Sequence, residues 1–131
     1  MRKAASLAGR VLLSSIFIVF GFNNIMNFSA MQQIMAEAGI PMNGLLLILG
    51  TIFELAGGLS LLLGYKARLG AGALIAFITL ATLFFHMNLS DQMQFTQFMK
   101  NLSILGGLLM VVVLGPGPLS FDMRSSRHQD R

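Results

Sequence analysis

The sequence predicts an all-α integral membrane protein, a four-helix bundle with both termini on the cytoplasmic side. Three observations carry that reading. Hydrophobic residues make up 55% of the chain and charged residues only 11%, whereas a soluble domain usually carries about 25% charged residues. The apolar residues are gathered into four long runs. The Lys and Arg residues fall almost entirely on one side of those runs. With a mean hydropathy of +0.75, the 131-residue chain has too little polar surface to cover itself in water, and a bilayer becomes its natural solvent.

The first run covers residues 8–22, with a softer continuation to 28. The others cover 44–63, 69–85 with an extension to 88, and 95–114. Each reaches about 20 residues, which at a rise of about 1.5 Å per residue matches a hydrocarbon core of roughly 30 Å. Helices satisfy their backbone groups internally, as the bilayer requires. "LLLILG" and "LLMVVVLG" are apolar throughout, which excludes the alternation that a membrane β-strand needs. Arg2 and Lys3 before an apolar run suggest a signal peptide, but the small-x-small site Ala36-Glu37-Ala38 lies too far beyond the run. The first segment reads as a retained helix.

The connections have their own chemistry. "SAMQQIMAEAGIP" opens with Ser29-x-x-Gln32, a capping-box pattern. Met31, Ile34, Met35 and Ala38 share one face at helical spacing, and Gly39 and Pro41 supply a stop. This predicts a short amphipathic outer helix between the first two spans. "GPGP" at 115–118 ends the last span. Residues 1–118 therefore form the transmembrane domain, and 119–131 a basic cytoplasmic tail. Arg2, Lys3, Arg10, Lys66, Arg68, Arg124, Arg127 and Arg131 all fall on one side, and only Lys100 falls on the other. The positive-inside rule makes the rich side cytoplasmic. That distribution accounts for the net charge of +4 without nucleic acid.

Polar residues inside the spans point to a site. "FELAGG" places Glu54 roughly 15 Å below the outer surface, and Lys100 lies about 7–8 Å deep. His86 and Asn24 stand near the outer ends of their spans. Thr79, Thr82 and His86 form one stripe, Thr51, Glu54 and Gly58 a second, and Ser14, Gly21 and Asn24 a third. A lipid-facing carboxylate costs several kcal/mol, so inward pairing is expected. We expect Glu54 to meet Lys100, with Asn101, His86 or Asn24 completing the hydrogen bonds. The set Glu54, Lys100, His86, Asn101, Asn24 and Thr82 then anchors a ligand or relays a proton; the competing reading is a pair that only pins the helices. Arg10 and Arg68 read as topological residues, with Arg10 able to snorkel to headgroups. Gly50, Gly57, Gly58, Gly70, Gly72, Gly106 and Gly107 read as sites of close helix approach. No haem or metal is expected. The chain has two histidines, one of them His128 in the tail, and no cluster with metal-ligand spacing.

The segments "GRVLLSSIFIVFGFNNIMNF", "AGIP", "FELAGGLSLLLGYKARLGA", "FFH" and "FMKNLSILGGLLMVVVLGPGPLSFD", in that order over residues 7–122, resemble the DoxX family of small bacterial inner-membrane proteins. Matching positions include Arg10, Gly21, Glu54, Gly64, Arg68, His86, Lys100, Asn101 and Gly107. Where the family often has a Lys, this chain has Asn24, which shifts weight for pairing Glu54 onto Lys100. The resemblance implies a four-helix domain of the inner membrane and a link to quinone-related redox assemblies. The leading functional expectation is a protein that binds a small apolar molecule, a quinone among the candidates, or serves as membrane subunit of a redox assembly. No self-sufficient catalytic constellation is present, so an enzymatic role would be that of a subunit of a quinone-linked oxidoreductase. The alternatives are a structural or chaperone-like partner of another membrane protein, without ligand, and a small transporter built as a homo-oligomer. A cavity reaching Glu54 favours a ligand. A dry Glu54–Lys100 pair favours the structural role. A path to both faces favours transport.

Overall fold

The computed structural model describes residues 1–124. Arg127, His128 and Arg131 of the expected tail lie outside the described residues. The elements in chain order are α1 (Arg2–Met26), α2 (Phe28–Glu37), α3 (Asn43–Leu63), α4 (Ala67–Phe85) and α5 (Gln92–Leu114). All but α2 are long and apolar enough to cross a membrane, and no strand occurs among the described residues.

Two helices start earlier than hydropathy alone indicates. α1 begins at Arg2, because "RKAASLA" contains good helix formers and no breaker. α5 begins at Gln92 rather than near Phe95. Asp91 Oδ1 accepts hydrogen bonds from Met93 N at 2.9 Å and Gln94 N at 3.3 Å, satisfying two otherwise unpaired donors at the helix start. The expected capping box at Ser29 does not form. α2 starts two residues sooner, after Asn27, with no side-chain cap. Gln32 Nε2 instead donates to Asn43 Oδ1 at 2.9 Å, tying α2 to the start of α3.

Four helices pack in the spatial order α1, α3, α4, α5, and α1 touches α5 only sparingly. Phe17, Leu61, Leu74, Ile78 and Leu108 form the buried centre. Outward positions such as Leu12, Val19, Leu69 and Val113 are exposed and apolar, as a hydrocarbon-facing surface must be. Glycine sets the closest approaches. A Cβ on Gly57 would stand 2.6 Å from Leu74 Cγ, and one on Gly21 would stand 2.5 Å from Leu55 Cδ2. Gly72 and Gly106, expected to serve the same purpose, face open space. They sit on the sides of α4 and α5 that no neighbour covers.

The bundle's two ends differ. At one end α2 lies across the opening. Met35 and Ile40 are buried with Leu47, and Phe28, Met31 and Phe85 pack around them. Ile34 and Ala38, expected on this face, are exposed; the docked face centres on the Met31–Met35 pair, one turn apart. At the other end the chain after α5 folds back. Gly64 turns between α3 and α4 at φ 68°. Asp122 accepts hydrogen bonds from Lys66 N at 2.6 Å and Ala67 N at 2.9 Å, capping α4 from fifty-odd residues away in sequence. Residues 119–124, read as the start of the tail, are thus docked on the bundle. Arg10 does not snorkel. It is 4% exposed and donates to Pro116 O at 2.5 Å, Leu119 O at 2.8 Å and Leu62 O at 3.4 Å. Carbonyls at a helix end and in a turn lack backbone partners, and a guanidinium with five donors gathers several at once. Arg68 lies at this end too, with its Nη2 beside Gly115.

Candidate functional site

The site lies between the bundle centre and α2. α3 carries Glu54 inward, where it is 5% exposed. Its Oε2 accepts a hydrogen bond from Asn24 Nδ2 of α1 at 3.0 Å. The expected ion pair with Lys100 is absent. Lys100 Nζ donates to Gln97 Oε1 one turn back on α5 and stands 5.4 Å from the centre of the Phe20 ring, within cation–π range. Asn24 is therefore the residue that hydrogen-bonds Glu54. Its partner is a neutral amide, and Lys100 remains a separate group on α5.

Asn101 and Thr82 make a second couple. Asn101 Nδ2 donates to Thr82 Oγ1 at 2.8 Å, and that hydroxyl donates to Ile78 O at 2.7 Å. Both side chains are buried, so the bond joins α4 to α5 within the bundle. Thr79, expected on the same stripe, is exposed. His86 ends α4, with its backbone N bonded to Thr82 O at 2.9 Å and its ring 6.3 Å from that of Phe85. Two buried polar atoms have no hydrogen-bond partner among the described residues: Thr51 Oγ1 and His86 Nδ1.

A cavity of about 600 Å³ connects these groups. Asn24, Thr51, Glu54, His86, Lys100 and Asn101 all line it. Apart from Gln97, its remaining wall is apolar, with Ile16, Phe20, Met31, Met35, Phe77 and Ile104 among the lining residues. Thr82 is not in the lining; it holds Asn101 in place from behind. Arg10 and Arg68 are at the far end of the bundle. Sequence reasoning missed Gln97 and Phe20 as the surroundings of Lys100. The spacing Gln97-x-x-Lys100 was a readable helical pair, whereas the approach of Phe20 depends on how α1 meets α5. The arrangement can hold an apolar body while presenting hydrogen-bond donors and acceptors to one polar end, the usual composition of a small-molecule site.

These features define a membrane-spanning four-helix protein with a polar-headed apolar cavity. The chain belongs to the DoxX family, whose sequence model matches residues 5–87. It is 36% identical over 116 residues to inner membrane protein YqjF of Escherichia coli K12, covering 88% of each chain. It is 33% identical over 129 residues to inner membrane protein YphA of the same organism, covering 94% of this chain and 91% of that one. Similarity also extends to the Surfeit locus protein 4 homolog of Drosophila melanogaster, 32% identical over 124 residues, or 88% of this chain and 39% of that protein. No solved structure matches. The family match ends before α5, so Lys100 and Asn101 are covered through the full-length relatives alone.

If the Asn101–Thr82 bond links α4 to α5, a double-mutant cycle with Asn101→Leu and Thr82→Val gives a coupling of about 0.6 kcal/mol, the average for interhelical hydrogen bonds in a membrane. Steric-trap or denaturant unfolding in detergent micelles reads it. Strict additivity contradicts the link.

Proposed function

We propose that the protein binds a small, largely apolar molecule of the inner membrane by its polar head. The observation that carries this reading is the cavity itself. It reaches a carboxylate that the bundle interior would otherwise have no reason to keep next to open space. Glu54 has one hydrogen bond from protein, and Thr51 Oγ1 beside it in the lining has none. Buried polar groups are costly unless satisfied, and a ligand head with both donor and acceptor atoms satisfies them. A quinone in its reduced, quinol form meets the description: its hydroxyls donate to Glu54 and accept from Asn24, Lys100 or Asn101, and its ring and tail suit the Phe, Met and Ile walls. The absence of a direct Glu54–Lys100 pair also favours this reading over a structural pin. Both termini face the cytoplasm in this proposal, because the end bearing Arg2, Lys3, Lys66, Arg68 and Arg124 is the basic one.

Native mass spectrometry of gently extracted protein tests the binding. The wild type retains a small apolar molecule. Glu54→Gln loses it while thermal stability changes little, since the substituted amide still fits beside Asn24. Equal loss of retention and of stability, or no retained molecule in the wild type, contradicts the proposal. Orientation is read separately. The chain has no cysteine, so Gln33→Cys supplies a single thiol on α2. A membrane-impermeant maleimide labels it in intact cells with the outer membrane permeabilised, and labels Lys3→Cys only after lysis; the reverse pattern inverts the topology.

A further inference from the structure

The cavity is covered at its end by α2 and extends toward the side. Met35, Ile40 and Leu47 are each 7% exposed or less and pack together over Phe85. The lining then continues outward between α3 and α4. Leu49 and Phe53 of α3, and Leu80 and Phe84 of α4, belong to the lining and are 44%, 51%, 55% and 61% exposed. They face the hydrocarbon, and the buried Glu54 lies in the same continuous space. The way α3 and α4 pack accounts for the opening. Near their connection the two helices are clamped, with Gly57 against Leu74 and Gly70 against Ser60, where an added Cβ would stand only 2.6 Å and 2.3 Å away. Farther along, the contact is Gly50 against the Phe77 ring, at 3.2 Å from an added Cβ. A ring there spaces the helices apart, and the small side chains of Ala73 and Ala76 leave the adjoining groove shallow-walled.

We infer that the cavity is reached laterally from the bilayer through the groove between α3 and α4, with Phe77 and Gly50 at its narrowest point. The inference rests on the proposed binding role and specifies its ligand class. The occupant is a membrane-resident molecule with a flexible apolar chain. Its small polar head lies near Glu54 and its chain lies along Ala76, Leu80 and Phe84. A compact water-soluble metabolite has no apolar chain to lie along this groove.

Photolabelling tests the route without knowing the natural ligand. The full chain is reconstituted in phosphatidylcholine vesicles containing a long-chain alcohol with a diazirine on the carbon beside its hydroxyl head. After irradiation, adducts are mapped by mass spectrometry. Carboxyl groups trap the resulting carbene efficiently. The expected result is an adduct at Glu54, which a chain confined to the bilayer outside the bundle does not reach. Ala76→Trp, on the exposed face of α4, fills the groove and abolishes the Glu54 adduct while labelling at Leu80 and Phe53 persists. Phe77→Ala widens the constriction and raises the Glu54 yield, and decides the matter if the Trp variant does not fold. Labelling of Leu80 and Phe53 without Glu54 in the wild type overturns the inference, as does a Glu54 adduct indifferent to both substitutions. The two proposals fail separately. A Glu54 adduct with no retained molecule removes only the binding role. Glu54-dependent retention without the adduct removes only the lateral route.

Discussion

The hydrogen bond from Asn24 to Glu54 is the constraint around which the site is organised. In hydrocarbon there is no water to receive a polar side chain, so a carboxyl group at mid-depth is tolerated only if the protein supplies a partner. α1 supplies it, and can do so because the same two helices approach closely through Gly21 against Leu55 and Gly58 against Phe17. Small residues bring the backbones together and thereby bring a short amide within reach of the acid. The position of Glu54 in turn fixes where the cavity has its polar end. Had Lys100 taken that role, α5 would be drawn in against α3, between α4 and α1. Instead Lys100 is held on its own helix by Gln97 and over Phe20, and the space between the helices stays open.

The bundle is closed at one end and adjustable at the other. Arg10 gathers carbonyls from three places in the chain, and Asp122 caps α4 across the same end. These bonds involve backbone groups that would otherwise be unsatisfied, so this end is specified by hydrogen bonding. At the other end α2 is seated by methionine and other apolar side chains, with the Gln32–Asn43 bond as a polar tie. Methionine packs adaptably. A site lidded by such a helix can accommodate chains of differing shape without breaking a hydrogen-bond network.

Much of this was legible in the chain. The four runs, the outer helix and the inward stripes carrying Thr51, Glu54, Asn24 and Thr82 follow from periodicity, because a helix's buried face repeats every turn. The individual partners did not follow. Whether Glu54 bonds Asn24 or Lys100 depends on rotations and offsets between helices of a few ångströms, which periodicity does not encode. Asp122 gave no local signal, since it caps a helix that begins 55 residues earlier. Arg10 does not follow the usual snorkelling of an arginine near a membrane surface, because the returning turn at 115–119, together with Leu62 O, provides the carbonyls that keep it inside. Gly72 and Gly106 illustrate the opposite error, in which a residue type suited to close packing stands where nothing packs.

Infrared spectroscopy of the Glu54 carboxyl group tests the account most directly. The sequence contains two glutamates, Glu37 and Glu54, so ¹³C-glutamate incorporated into a Glu37→Gln background reports on Glu54 alone. The account predicts that Asn24→Leu shifts the labelled carboxyl band and that Lys100→Met leaves it in place. A band that moves with Lys100 and ignores Asn24 contradicts it.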